Sequence, residues 1–143
     1  LNYPSTDKLE MDLSKDKIAR DYGREVFEGL SADAVVLAHM DGPVFALWYQ
    51  RYVMDKESNV VVVARNLLQF EWYVENLDRR YPSLASPGSL DDFPVALVNF
   101  VERNLALRPV YLTFRDPLLD GPFELRVDGR LLKVSKKQEA DIG

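Results

Sequence analysis

The sequence contains no cysteine and a single histidine, His39. Without cysteine there is no disulfide framework, no thiol nucleophile and no thiolate metal site. A lone histidine excludes a multi-histidine metal centre. A carboxylate site for Mg²⁺ or Ca²⁺ needs several convergent acids, and Asp41 alone is placed for one, so we expect no bound metal.

The glycine patterns that mark phosphate binding are also missing. Among the 7 glycines, neither G-x-G-x-x-G nor G-x-x-x-x-G-K-[S/T] occurs after a predicted strand. The G-x-S-x-G motif of a serine nucleophile is absent as well. We therefore expect no cofactor and no nucleotide site.

Positive charge and long apolar runs are scarce. There are 18 lysines and arginines against 23 acidic residues, and a net charge of −5 disfavours a nucleic-acid surface. No apolar run approaches the roughly 18 residues of a membrane span, and the run from Val60 to Ala64 has the length of a strand. Because the chain begins at Leu1 rather than at a methionine, we expect it to be a piece of a longer protein.

The hydrophobic pattern that is present predicts alternating strands and helices. Unbroken apolar, β-branched runs predict buried strands at 34–38, 60–64 and 110–114. Apolar residues three and four apart predict helices at 15–28, 43–54, 67–80 and 94–104. Alternation on both sides of Asp128 and Gly129 predicts a β-hairpin with its turn at these two residues.

This order of elements predicts an α/β fold, a three-layer Rossmann-like sandwich with a mostly parallel sheet and a C-terminal antiparallel β-hairpin. We expect a surface arm at residues 1–13, a single domain at 14–135 and a polar tail at 136–143.

Polar side chains follow each of the predicted parallel strands, at the sheet edge where α/β proteins bind ligands. Guanidinium groups, a carboxylate and an imidazole would suit a sugar or an anionic ligand there. The candidate ligand-binding residues are His39, Asp41, Gly42, Arg65, Asn66, Gln69, Arg115 and Asp116. The alternative, which we favour on residue chemistry alone, is structural: Asp41 and Asn66 cap helices, and the two arginines form ion pairs. Their partners would be Asp41, Asp116 or Asp120.

The predicted helices after the first two strands are rich in aromatic residues, which suggests a carbohydrate platform. The set comprises Phe45, Trp48, Tyr49, Tyr52, Phe70, Trp72 and Tyr73. At helical spacing, however, such residues are more typical of a core. We expect one or two of them, especially Trp72 or Tyr73, to face outward and to line an interface.

Two segments, ADAVVLAHMDGPVFALWYQRYV and NVVVVARNLLQFEWYVENLDRRYP, together resemble a known family. The shared residues are Asp41, Phe45, Leu47, Trp48, Tyr49, Asn66, Leu67, Leu68, Trp72 and Tyr73. The family is the soluble C-terminal domain of protein O-mannosyltransferase-like, multi-spanning membrane proteins of the GT-C glycosyltransferase superfamily. The resemblance extends from about Ser14 to Val134, and the corner at residues 39–42 is less acidic than is typical of the family.

The resemblance implies a role rather than a reaction for this chain. In GT-C enzymes the carboxylates of sugar transfer lie in loops of the membrane part, so the resemblance implies an accessory domain with no catalytic residues of its own. It implies a membrane-bound parent with this domain on the extracytoplasmic side. The implied partners are the membrane-embedded portion of the same parent chain and a glycan or protein acceptor.

Overall fold

The computed structural model describes residues 17, 21, 30, 33–39 and 60–137. The chain divides into two compact units, one of residues 1–30 and 40–58 and the other of residues 31–39 and 59–143. The predicted arm at 1–13 and the predicted helix at 43–54 lie outside the described residues. Of the predicted helix at 15–28, Lys17 and Asp21 are described and are helical. The predicted domain limits stay a prediction.

The second unit is built on a mixed sheet of five strands in the order β2-β1-β3-β5-β4. The strands are β1 (Val35–Ala38), β2 (Val61–Ala64), β3 (Val110–Leu112), β4 (Phe123–Asp128) and β5 (Leu131–Lys136). Strand β1 pairs in parallel with β2 on one side and with β3 on the other. Strand β5 pairs antiparallel with both β3 and β4. The hairpin is therefore part of the same sheet.

Two α-helices of the described chain accompany this sheet, α1 (Glu71–Arg80) and α2 (Phe93–Leu105). Helix α2 confirms its prediction because Asp92 caps it, its Oδ1 accepting the Val95 N–H at 3.3 Å, and Pro94 lies in its first turn. Helix α1 begins later than residue 67, since a 3₁₀ turn at Arg65–Leu67 follows β2 directly. Phe70 then has extended backbone, and α1 starts after it.

The predicted Rossmann-like sandwich with a mostly parallel sheet is wrong. Two of the four strand pairings are antiparallel, because β5 inserts beside β3 and aligns Val110 with Val134. The hairpin itself is confirmed, but its turn consists of Gly129 and Arg130, since Asp128 still pairs with Leu131. Gly129 has a φ of 60°, the conformation that a glycine adopts most easily in a two-residue hairpin loop.

The core lies around the three parallel strands, where every residue of β1, β2 and β3 is buried. Burial on both faces explains why these segments show no polar alternation. Helix α2 adds Leu97, Phe100 and Val101, each at most 1% exposed. Full burial of side chains of this size contributes roughly 1.5–3 kcal/mol each. The three parallel strands are therefore the most deeply buried part of the described sheet.

Candidate functional site

Strands β1, β2 and β3 end side by side, because parallel pairing aligns Ala38 with Ala64 and Leu37 with Leu112. The residues that follow each strand therefore meet at one edge of the sheet, here called the carboxyl edge. It comprises His39, Arg65, Asn66, Thr113, Phe114, Arg115 and Asp116. The sequence predicts that these segments converge, and the two parallel pairings of β1 bring them together.

His39 is exposed, and its backbone and ring both contact the neighbouring segments. Its backbone N–H donates to Thr113 Oγ1 at 3.1 Å, which extends the pairing of β1 with β3 by one contact. Its ring Nδ1 lies 2.8 Å from Asn66 Oδ1, and because an amide oxygen accepts, Nδ1 is the donor. The ring also stacks on Phe114, with centroids 4.7 Å apart and planes inclined by 30°. The imidazole is thus held in one orientation.

Arg65 and Asp116 form the shortest side-chain contact described at the carboxyl edge. Arg65 Nε donates to Asp116 Oδ2 at 2.7 Å, and Nη2 donates to Oδ1 at 3.3 Å. The Asp116 side chain is fully buried, and it also accepts the Leu118 N–H at 3.0 Å. The guanidinium lies 5.3 Å from the centre of the Phe93 ring, at the start of α2. This cluster joins the end of β2 to the loop after β3 and to α2.

The other candidate residues at this edge also have internal partners. Arg115 Nη1 pairs with Asp120 Oδ2 at 3.3 Å, with both side chains about half exposed. Gln69 Nε2 donates to the Asn66 carbonyl at 2.9 Å and closes the 3₁₀ turn. The ion pairs of the structural alternative are therefore present.

The structural alternative also predicts that Asn66 and Asp41 cap helices. The prediction for Asn66 is wrong, because the residue preceding α1 is Phe70 and the Asn66 side chain contacts His39 instead. Asp41 and Gly42 lie outside the described residues, so their predicted roles stay predictions.

The chemistry available at this edge is hydrogen bonding and charge pairing. In the part of the chain that the structure describes, no group of three or more His, Asp or Glu side chains is arranged to hold a metal ion. No helix among these same residues is long and apolar enough to cross a membrane.

One aromatic residue of the carboxyl edge, Phe114, was not predicted as a site residue. The predicted strand at 110–114 ends at Phe114, and nothing in the sequence separates this residue from the apolar residues of that strand. Phe70 and Trp72 are 42% and 54% exposed, and their rings lie 6.1 Å apart with planes inclined by 20°. Tyr73 next to them is buried, and its hydroxyl accepts the Ala64 N–H at 2.8 Å. The outward position of Trp72 agrees with the expectation for this aromatic set, whereas Tyr73 belongs to the core.

Comparison with known proteins points to one family. The model of the TMEM260-associated domain 2 family matches residues 19–93. Over 77 residues the chain is 26% identical to a Mus musculus protein named Protein O-mannosyl-transferase TMEM260. The aligned region is 54% of this chain and 11% of that relative, so the chain spans about a tenth of the relative's length. No solved structure matches the chain.

The family match covers only part of the carboxyl edge. His39, Arg65 and Asn66 lie within the matched residues, and so does the Phe70–Trp72 pair. Arg115 and Asp116 lie beyond residue 93, so the buried ion pair joins a matched residue to an unmatched one.

Proposed function

Because this chain belongs to the TMEM260-associated domain 2 family, we propose that it is a noncatalytic accessory domain of a glycosyltransferase-like protein. We assign two contacts to this domain. It binds and positions the acceptor of sugar transfer, and it packs on the membrane-embedded portion of the same parent chain. The name of the mouse relative suggests mannose as the sugar and a protein as the acceptor.

The exposed Phe70–Trp72 pair carries this proposal. Large aromatic side chains that remain half exposed beside each other are typical of surfaces that bind another macromolecule, since covering them removes apolar area from water. Tryptophan is also among the residues that contribute most to interfaces when it is covered. The pair lies in the segment that the family model matches, which supports a role shared with the relatives.

The contacts of the carboxyl edge support a noncatalytic role. Arg65 is paired with Asp116, and the half-exposed Arg115 is paired with Asp120. His39 is oriented by Asn66 and Phe114, and neither is a nucleophile that an imidazole could activate. The edge residues therefore serve the fold by holding three loops together.

The noncatalytic role is tested with His39→Ala in the full-length protein that carries this sequence. We expect sugar transfer to fall by no more than about threefold, because the imidazole contributes packing and hydrogen bonding to the fold. Removal of a general acid or base lowers turnover by roughly 10²–10⁴-fold. A loss of that size in a variant that melts like the parent would overturn the proposal.

We place the domain on the extracytoplasmic side of a membrane-bound parent. In sealed vesicles containing the full-length protein, added protease would then cleave this domain only when the vesicle interior is cytoplasmic. Cleavage in the opposite vesicle orientation would refute the placement.

A second candidate function is the binding of a sugar or an anionic ligand at the carboxyl edge. It is favoured by the exposed His39 ring, whose Nδ1 contacts Asn66, and by the half-exposed Arg115 at the same sheet edge, which offer donors and positive charge. Gln69 remains part of this candidate site. Sugar phosphates, nucleotide sugars and polyprenyl-phosphate mimics should then raise the melting temperature of the chain, and Arg115→Ala should abolish the rise. Absence of any rise at millimolar ligand would eliminate this candidate.

A further inference from the structure

The exposed side of α1 carries two acidic residues beside the Phe70–Trp72 pair. Glu71 immediately precedes Trp72, and Glu75 follows it by three residues, which makes Trp72 and Glu75 neighbours on the helix surface. All four side chains are exposed. We call Phe70, Glu71, Trp72 and Glu75 together the acidic-aromatic surface.

We propose that the acidic-aromatic surface binds an arginine side chain of the polypeptide that accepts the sugar, with the guanidinium stacked on Trp72 and donating to Glu71 and Glu75. The inference rests on the proposed acceptor-positioning function and names the chemistry by which the acceptor is recognised. A guanidinium is planar, stacks on aromatic faces and donates parallel hydrogen bonds to a carboxylate. It therefore makes use of both kinds of group at this surface.

The two glutamates are complementary to a cation because they lack one in the domain itself. They are four residues apart, so their like charges are neighbours on the helix, which is unfavourable. In the described part of the chain, neither takes part in an ion pair. Arg79 stands four residues after Glu75, but its Nη2 donates to Asn76 Oδ1. A bound cation would remove the repulsion between the two carboxylates.

The surroundings in the chain leave this surface negative. No lysine, arginine or histidine occurs from residue 66 to residue 78. Arg65, just before this segment, is paired with the buried Asp116. Arg79 is seven residues from Trp72, roughly 10 Å along the helix axis, which is about one Debye length at physiological salt. The start of α1 contributes only about half a positive charge, less than the two carboxylates offset.

A neutral glycan is the competing occupant, since sugars also stack on exposed rings. Carboxylates accept hydrogen bonds from hydroxyl groups, but a neutral sugar gains nothing from the net negative charge of the surface. It would also leave the repulsion between Glu71 and Glu75 in place. The aromatic pair alone fits both occupants, and the charge favours the guanidinium.

Binding of two matched peptides to the full-length protein that carries this sequence tests the charge requirement. One is a fluorescein-labelled peptide of glycine, serine and threonine with three arginines, and in the other citrulline replaces each arginine. Citrulline keeps the planar end group but is neutral. In fluorescence anisotropy titrations we expect the arginine peptide to bind at least about tenfold more tightly, because it alone gains cation–π and charge-assisted contacts. Equal affinities would overturn the proposal.

Substitutions locate the binding on α1. Glu71→Gln and Glu75→Gln should each weaken the arginine peptide by roughly threefold, and the double variant and Trp72→Ala by about tenfold. Glu102→Gln is the control, because it removes the same charge from an exposed position on α2 and should leave the affinity unchanged. Unchanged melting temperatures check that each variant is folded. A double variant that binds like the parent, or an equal loss in Glu102→Gln, would contradict the assignment.

Salt and a sugar competitor separate the two occupants. Raising NaCl from about 50 mM to 300 mM should weaken the arginine peptide severalfold, since contacts between exposed charges are screened. A neutral mannose oligosaccharide at millimolar concentration should not displace the peptide. Displacement by the oligosaccharide together with salt-independent binding would assign the surface to a glycan and overturn the proposal.

Kinetics of sugar transfer by the same variants distinguish this inference from the function on which it rests. If Trp72→Ala raises the acceptor KM whereas the double glutamine variant does not, acceptor positioning stands and arginine recognition is wrong. If neither variant changes the acceptor KM although the arginine peptide binds as expected, recognition stands and acceptor positioning is wrong. We expect both variants to raise the acceptor KM while kcat is retained.

Discussion

Arg65 and Asp116 join the end of β2 to the loop after β3 through hydrogen bonds of 2.7 Å and 3.3 Å from one guanidinium to one carboxylate. The carboxylate is fully buried, and the arginine side chain is 21% exposed. Their separation in sequence makes the pair a long-range tie between two loops. It also occupies the guanidinium that an anionic ligand would need, so the geometry favours a structural role for this arginine.

Asp116→Asn tests that structural role. The substitution removes the negative charge and leaves the mostly buried Arg65 without its ionic partner, so we expect the free energy of unfolding to fall by about 2–4 kcal/mol. Urea denaturation measures the change. Asp120→Asn is the matched control, because its pair with Arg115 is half exposed and should be worth less than about 1 kcal/mol. Equal losses in the two variants would show that burial does not decide the strength of these pairs.

Asn104 on α2 is, with Asp116, a fully buried polar side chain of the described residues, and its loss should also be costly. It is fully buried, its Oδ1 accepts the Ala85 N–H at 3.0 Å, and its Nδ2 donates to the carbonyls of Ala85 and Phe100 at 3.1 Å and 2.8 Å. Asn104→Ala leaves the part-buried backbone groups of Ala85 without these partners. We expect a loss of about 2–3 kcal/mol in thermal or urea unfolding.

Asn99→Ala on the same helix is the control for that experiment. Asn99 is half-buried, and the same change there should cost less than about 1 kcal/mol. A loss at Asn104 no larger than at Asn99 would mean that the segment around Ala85 is not fixed to α2 by these bonds.

Tyr73→Phe tests the link between α1 and the end of β2. The tyrosine hydroxyl accepts the Ala64 N–H in a buried position, so its removal leaves that amide without an acceptor. We expect unfolding to become easier by about 1–2 kcal/mol and the Ala64 amide to exchange faster with solvent. The Val61 amide, which donates to the Ala34 carbonyl at 2.9 Å, is the internal reference. Unchanged exchange at Ala64 would disprove the link.

The local elements were predictable where the sequence carries a local signal. Asp92 and Pro94 define the start of α2, and the consecutive valines define β2, because these residue types restrict the backbone directly. Helix α1 began later than predicted because its apolar spacing extends back through the 3₁₀ turn, where no residue type separates the two conformations.

The sheet was predicted incorrectly because strand order depends on pairing between distant residues. Nothing near Val134 indicates which strand the hairpin joins or that Val134 aligns with Val110. Once β5 lies beside β3, the sheet is mixed, and the mostly parallel architecture no longer applies. The hairpin loop was placed one residue early for a related reason: an aspartate before a glycine also fits the last position of a strand, which is where Asp128 lies.

The carboxyl edge was predictable in position but not in its pairing. The sequence predicts the three parallel strands, and their pairing places His39, Arg65 and Asp116 after neighbouring strand ends. Several aspartates follow these strands, however, and the choice of Asp116 as the partner of Arg65 depends on which carboxylate is buried. Phe114, which orients His39, carries no signal that distinguishes it from a core residue.

Trp72→Ala in the full-length protein tests the proposed acceptor-positioning role most directly. Initial rates of mannose transfer are measured against the concentration of a hydroxyl-bearing protein acceptor. Leu107→Ala is the control, since Leu107 is similarly exposed, at 63%, and lies outside the matched segment. We expect Trp72→Ala to raise the acceptor KM by roughly tenfold or more with kcat unchanged, and Leu107→Ala to alter neither. An unchanged acceptor KM, or a fall in kcat alone, would contradict the account.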